Sequence, residues 1–180
     1  MAREVENDAL SELKREFLGL LETHRKIIYK VAATYCRLSQ DRDELAQEIM
    51  GQLWRAFPRY DRSRSFSTWI YRIALNVAIS FVRIQSRWQM ISLDQQKHDL
   101  PGEPERDLGL EEGVEELYRF IGQLDPLNRA LLLLYLEERP YREIAEILGL
   151  TETNVATKIN RLKLRMSGEM VLDKNGGGKI

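Results

Sequence analysis

Apolar residues recur at helical spacing along nearly the whole chain, and runs alternating apolar with polar positions are missing, which predicts an all-α protein. Leu13, Phe17, Leu20, Leu21, Ile27, Ile28, Val31 and Tyr35 line one or two N-terminal helices. A further helix is predicted from near Asp41 to just before Pro58, since proline disfavours helical geometry in the preceding residue and cannot donate to the ladder. The next starts after Ser65, a residue suited to an N-cap, and runs to about Trp88. Beyond Pro101, Gly102 and Pro104, helices are expected at about 110–124, 126–138, 141–148 and 151–166, with Pro126 fitting a first helical turn. The grouping gives two small helical domains, 1–91 and 110–168, a flexible acidic linker at 92–109, and a disordered tail at 169–180 that includes three consecutive glycines.

Residues 141–155 have the layout of a helix-turn-helix: a short amphipathic helix, Gly149 able to take the left-handed conformation in the turn, and Thr151 capping a second helix. Ala145 is small where the two helices cross. Val155, Ile159, Leu162 and Met166 face the core, which turns Thr153, Thr157, Asn160 and Leu164 outward. Arg161 lies beside that face, and Lys158 and Arg165 run along one flank. Short hydrogen-bonding side chains with Arg suit base edges in a major groove, and flanking cations suit phosphates at its rim. Leu164 has no polar role there; contact with a thymine methyl is one option.

The helix after Ser65 carries Trp69, Ile70, Ile73, Leu75, Val77, Ile79, Phe81, Val82 and Ile84 around nearly its whole circumference, which predicts burial on most sides. One stripe interrupts it: Arg72, Asn76, Ser80, Arg83 and Arg87. The loop before it adds Arg59, Arg62 and Arg64 beside Tyr60, and eight of the fifteen aromatics fall between Trp54 and Trp88. Cations interleaved with rings suit single-stranded nucleic acid, in which phosphates pair with Arg and unstacked bases lie on aromatic faces. Most of these rings fit a core; Tyr60 and Phe66 fit either the core or a base. The helix from Asp41 has a polar edge of Asp41, Glu44, Glu48, Gln52 and Arg55, and by spacing alone its acids simply complement the helix dipole.

Composition supports a folded chain: 180 residues, 43% apolar, and 27 basic against 28 acidic side chains. The near-zero net charge conceals blocks. Residues 53–90 hold seven arginines against one acid, 92–116 nine acids against two bases, and 151–166 four bases against one acid. Two basic surfaces flanking an acidic joint suggest a polyanion held at two places. With Cys36 as the one cysteine and His24 and His98 as the two histidines, no disulfide framework or soft-ligand metal cluster can form, and no metal or cofactor is expected. No signal-peptide core is present and the longest apolar run, 130–136, is too short for a bilayer, so a cytoplasmic protein without membrane insertion is expected.

Residues 41–49, 53–60 and 66–76 together resemble the second conserved region of the extracytoplasmic-function (ECF) sigma factors of bacterial RNA polymerase. Residues 124–129, 141–150 and 155–163 resemble the fourth, and the likeness spans roughly residues 8–168 in order. The resemblance implies a non-catalytic initiation subunit that binds core RNA polymerase, directs it to promoters and stabilises the melted minus-ten strand. It aligns Asp41, Asp43, Glu44, Gln47 and Glu48 with the docking surface for the β′ clamp helices, which displaces the dipole reading. It aligns Asn76 and its stripe, with the loop 59–65, with the minus-ten element. Thr157, Asn160 and Arg161 align with minus-thirty-five contacts. The β subunit, promoter DNA both duplex and single-stranded, and an anti-sigma factor or other inhibitory partner follow as expected partners. Pro140 stands where the family usually has a capping Ser, and Ala156 where a base-reading cation is common. A helix-turn-helix regulator acting without polymerase is the alternative, and it leaves the first domain unexplained. An enzyme acting on nucleic acid has no nucleophile–base pair, phosphate-cradling loop or metal cluster in its favour.

Overall fold

The computed structural model describes residues 2–95 and 112–176, and every regular element among them is helical. The chain divides into two compact units, Met1–Phe81 and Val82–Ile180, a boundary that falls inside a helix and ten residues before the expected domain edge at 91.

In the first unit α1 is a single helix, Ala2–Tyr35, where the apolar pattern allowed one or two. It buries Phe17, Ile28, Val31, Ala32 and Tyr35. Helix α2, Ser39–Ala56, buries Leu45, Ala46, Ile49 and Leu53 on one side, and Asp41 in its first turn and Arg55 in its last complement the dipole. Pro58 ends the α-helical ladder as expected, in a 3-10 turn at Phe57–Arg59. Helix α3 spans Phe66–Gln95, starting on the Ser65 carbonyl, which accepts from the Trp69 N–H at 3.1 Å.

Helix α3 departs from expectation in two ways. Its core face is narrow: Phe66, Ile70, Tyr71, Ala74, Leu75 and Ala78 are buried, whereas Ile73, Val77, Ile79, Phe81 and Val82 are half-buried and Ile84 is exposed. Its first turn is met by the rings of His24, Phe57 and Tyr60, 5.0 to 6.2 Å from those of Phe66 and Trp69. The helix also runs past Trp88, so linker residues 92–95 are helical; 96–109 lie outside the described residues.

The second unit holds α4 (Glu112–Gln123), α5 (Pro126–Leu136), α6 (Tyr141–Leu148) and α7 (Glu152–Gly176). Pro126 opens α5 as predicted, behind Asp125, whose carboxylate caps the helix by accepting from the Leu127 and Asn128 N–H groups at 3.1 Å. Arg129 donates back to the carbonyls of Leu124 at 2.9 Å and Gly122 at 2.7 Å, satisfying acceptors where α4 ends. The core is made by Phe120, Leu124, Leu131, Leu134, Ile144, Ile147, Val155 and Ile159 with their neighbours. Helix α7 continues ten residues beyond Met166, so the tail expected to be disordered from 169 is helical to Gly176, with 177–180 outside the described residues. Glu169, Met170, Leu172 and Lys174 are good helix formers without an intervening proline.

The α5–α6 connection holds the described non-glycine residue with positive φ, Glu138 at 56°. Around it the Arg139 N–H reaches the Leu134 carbonyl at 3.1 Å and the Glu138 N–H that of Tyr135 at 2.9 Å, a left-handed helix stop in the position glycine normally fills. Glu138→Gly is expected to stabilise the protein by about 0.5–1 kcal/mol, because relief of the left-handed strain exceeds the added freedom of the unfolded chain. Urea unfolding of the two proteins, compared by midpoint at equal slope, checks this.

Candidate nucleic-acid interface

Helices α6 and α7 form the anticipated helix-turn-helix. Gly149 closes α6 with φ 67°, and the Leu150 N–H bonds the Ala145 carbonyl at 3.0 Å. Thr151 opens α7: its hydroxyl accepts from the Asn154 N–H at 3.2 Å and its carbonyl from the Val155 N–H at 3.0 Å. Val155, Ile159 and Leu162 are buried, and Thr153, Thr157, Asn160, Arg161 and Leu164 are exposed, Leu164 at 68%. The Thr157 hydroxyl donates to the Thr153 carbonyl at 2.9 Å. Lys158 is half-buried on the flank. Arg165 is exposed, yet its guanidinium lies 5.5 Å from the Phe120 ring centre and 3.4 Å from Gln123 Oε1, so it is laid along α4. At Pro140 the side-chain cap is absent, as the sequence implied; Glu143 in the first turn, paired with Arg139 at 3.1 Å, supplies negative charge at that end of α6.

On α3 the stripe is open to solvent: Arg72, Asn76, Ser80, Arg83 and Arg87 are all exposed on one face of the helix. The preceding loop is tightly organised. Asp61 accepts from the Ser63 N–H at 3.0 Å and hydroxyl at 2.7 Å, and the Arg64 N–H closes the turn on the Asp61 carbonyl at 3.0 Å. These bonds from Ser63, chiefly from its hydroxyl, hold the Asp61 carboxyl below its ordinary range.

Tyr60 and Phe66, which fitted either core or base, belong to the core. They are 8% and 7% exposed and pack with Phe57 and Trp69, the Tyr60 ring 5.2 Å from Phe66 and 5.0 Å from Trp69. The Tyr60 hydroxyl donates to the Arg64 carbonyl. Tyr60 therefore holds the loop from beneath, its ring enclosed by those of Phe57, Phe66 and Trp69, an arrangement that removes apolar area from water. Arg62 is likewise engaged. Its guanidinium is 5.7 Å from the Phe57 ring centre and forms a bidentate pair with Glu16 on α1, which lowers the Glu16 carboxyl and raises Arg62 through the shared hydrogen bonds.

On α2, Asp43, Glu44, Gln47 and Glu48 are exposed and Asp41 is half-buried. Glu48 accepts from Gln52 at 2.9 Å and Arg55 at 3.2 Å, so the outward negative charge concentrates on Asp43 and Glu44. Among the described residues no group of His, Cys, Asp and Glu could hold a metal ion, and no helix is long and apolar enough to cross a membrane.

Residues 20–87 match Sigma-70 region 2 and residues 114–166 match Sigma-70, region 4. The chain is 27% identical over 158 residues to the ECF RNA polymerase sigma factor SigW of Bacillus subtilis, covering 81% of this chain and 83% of that one. The chain belongs to the ECF sigma factors of the sigma-70 family. This sigma factor is also 24% identical over 176 residues to RNA polymerase sigma factor CnrH of Cupriavidus metallidurans, covering 92% of each. In fold it is similar to CnrH solved in complex with the cytosolic domain of CnrY, with a TM-score of 0.64 at 21% identity over 89% of this chain and 90% of that one. It is similar also to the sigma factor RpoE of Bartonella quintana solved with the anti-sigma factor NepR, with a TM-score of 0.67 at 16% identity over 90% and 98% of the two chains. The paired region 2 and region 4 matches account for the first unit, which a helix-turn-helix regulator would leave without a role.

Several groups that shape this sigma factor had little or no signal in sequence. Asp125 before Pro126 was a readable cap; Glu16, separated from Arg62 by 46 residues, had none. Both Glu16 and Asp61 have carboxyls lowered in the folded state, so their contribution to stability is present above the ordinary carboxylate range and disappears as pH falls through the lowered values. A Glu16→Gln, Asp61→Asn double variant is expected to show a shallower loss of stability below about pH 4 than the parent. Urea midpoints measured from pH 7 to pH 2 provide the check.

Proposed function

We propose that this sigma factor docks on core RNA polymerase through the α2 edge, captures the melted minus-ten strand with α3 and its preceding loop, and reads the minus-thirty-five duplex with α7. The observation that carries the reading is the exposed stripe Arg72, Asn76, Ser80, Arg83 and Arg87 on one face of α3 within the region 2 match, a row of cations and hydrogen-bonding groups whose neighbours between Trp69 and Ile84 are otherwise apolar. Arg59 and Arg64 extend the strand-facing charge into the loop, and Tyr60 supports it from below. On α7, Thr153, Thr157, Asn160 and Arg161 face base edges, with Lys158 and Arg165 at the phosphates. Asp41, Asp43, Glu44, Gln47 and Glu48 meet the β′ clamp helices, and the β subunit completes the polymerase contact. The action is non-catalytic, needs no cofactor of its own and takes place in the cytoplasm, where promoter and polymerase are. An anti-sigma partner is supported by the complexes in which CnrH and RpoE were solved, with CnrY and NepR.

Reversal of the outward charge, Asp43→Lys with Glu44→Lys, is expected to weaken association with core polymerase at least tenfold, because both are exposed and a basic partner would meet like charge. Native gel titration against core polymerase measures it; unchanged affinity with an unchanged circular dichroism spectrum would remove α2 as the docking edge.

On promoter DNA, Arg161→Ala is expected to cost about 1–3 kcal/mol and relax base preference at one position of the upstream element. Asn76→Ala should slow strand opening by the holoenzyme while leaving initial duplex binding within about twofold, since an unstacked base exists only after melting. Permanganate footprinting beside filter binding separates the two, and an equal loss in both assays would place Asn76 on duplex DNA.

A further inference from the structure

Glu16 lies on α1, four residues before the region 2 match begins at residue 20, and its carboxylate reaches into the loop assigned to the melted strand. Oε1 accepts from Arg62 Nε at 2.8 Å and Oε2 from Arg62 Nη2 at 2.6 Å, a fork-to-fork pair that uses the guanidinium face a phosphate would take. The loop backbone does not depend on it: the Asp61–Ser63 turn, the Arg64 N–H to Asp61 carbonyl bond and the Tyr60 hydroxyl on the Arg64 carbonyl fix residues 60–64 by themselves. What Glu16 decides is charge and where the Arg62 guanidinium points. Both side chains are partly exposed, 54% for Arg62 and 37% for Glu16, so the pair sits at the surface where nucleic acid would pass.

We propose that Glu16 is a charge guard: by holding Arg62 in this bidentate pair it withholds one cation from strand phosphates, lowering the sequence-independent affinity of the loop for a single strand and leaving capture to the contacts made by the α3 stripe. The inference rests on the strand-facing reading of the loop and α3. A phosphate that displaced Glu16 would exchange one anion for another on the same guanidinium and leave the freed carboxylate beside the phosphate, so the exchange gains little. The carboxylate is held in place by α1 at high effective concentration, whereas each phosphate must arrive from solution. Phosphate contacts carry no sequence information, so withholding one lowers the binding of promoter and other strands alike, and a larger share of the remaining binding comes from contacts to bases.

The test uses the full chain assembled with core polymerase and two fluorescein-labelled single strands: an oligothymidine, and the nontemplate strand of a promoter that the holoenzyme opens. Glu16→Gln is expected to bind both strands roughly threefold to tenfold tighter, with a salt dependence steeper by about 0.7 in log–log slope, the signature of one added single-strand phosphate contact. Glu16→Ala, which removes the acceptor entirely, should behave the same way. Arg62→Ala in the parent background should change affinity less than about twofold, and adding it to Glu16→Gln should abolish the gain and restore the parent slope. A Glu16→Gln protein that binds no tighter than the parent, a gain that survives Arg62→Ala, or an Arg62→Ala single variant that itself flattens the slope would each overturn the proposal. Arg72→Ala with Arg83→Ala serves as the control for the underlying reading: if that variant leaves both strands bound as tightly as the parent, the strand-facing assignment of α3 fails, a result distinct from failure of the guard.

Discussion

The first unit depends on the ring of Phe57. It is fully buried at the point where α2 gives way to the 3-10 turn, and around it lie Phe17 from α1 at 5.0 Å, Tyr60 at 6.0 Å, and Phe66 and Trp69 from α3 at 6.2 Å each. Rings meeting at tilted and edge-on angles, with Tyr60 stacked at 17°, add favourable quadrupole contacts to a large loss of exposed apolar area. Because Phe57 immediately precedes Pro58, the cluster also determines where the α-helical ladder stops and in which direction the chain leaves. The loop that follows is thus suspended over an aromatic floor: Tyr60 holds the Arg64 carbonyl from below, and Arg62 spreads over Phe57. A cationic loop without such a floor would lose the entropy of ordering its arginines only on meeting DNA.

The second unit solves a different problem, the presentation of one helix face. Here the device is a succession of helix ends in short connections. Asp125 satisfies the start of α5, Arg129 the end of α4, Glu138 the stop of α5, Gly149 the stop of α6 and Thr151 the start of α7. Each end group is paired within a few residues, so the angle between successive helices is set locally and the buried row Val155, Ile159 and Leu162 fixes the rotation of α7 about its own axis. The polar face opposite that row follows without further contacts. Arg165 and Lys163, whose charges lie 5.5 Å and 5.6 Å from the rings of Phe120 and Tyr135, show cations serving packing and field at once.

The surface charges divide by whether they are already matched inside the chain. Arg62 faces Glu16, Arg64 faces Asp61 at 3.6 Å and Arg55 faces Glu48 at 3.2 Å, whereas the α3 stripe projects from a helix whose own sequence carries no acid between Phe66 and Ser92. In this part of the chain the positive field is therefore strongest along α3 and moderated in the loop, and on α2 the negative field is strongest at Asp43 and Glu44 rather than along the whole edge.

Periodicity alone determined that this chain is helical, where α2, α5, α6 and α7 begin, that Gly149 and Thr151 make a turn and a cap, and that Thr153, Thr157, Asn160 and Arg161 share an outward face. These are local properties: a helix repeats every 3.6 residues, and its caps are read within four. The tertiary structure decided the rest. Whether Tyr60 and Phe66 meet a base or the core depended on rings from three other segments, and whether Arg62 is open to a phosphate depended on a carboxylate 46 positions away. The breadth of the buried face of α3 was likewise a matter of packing between segments, which no window along the sequence contains.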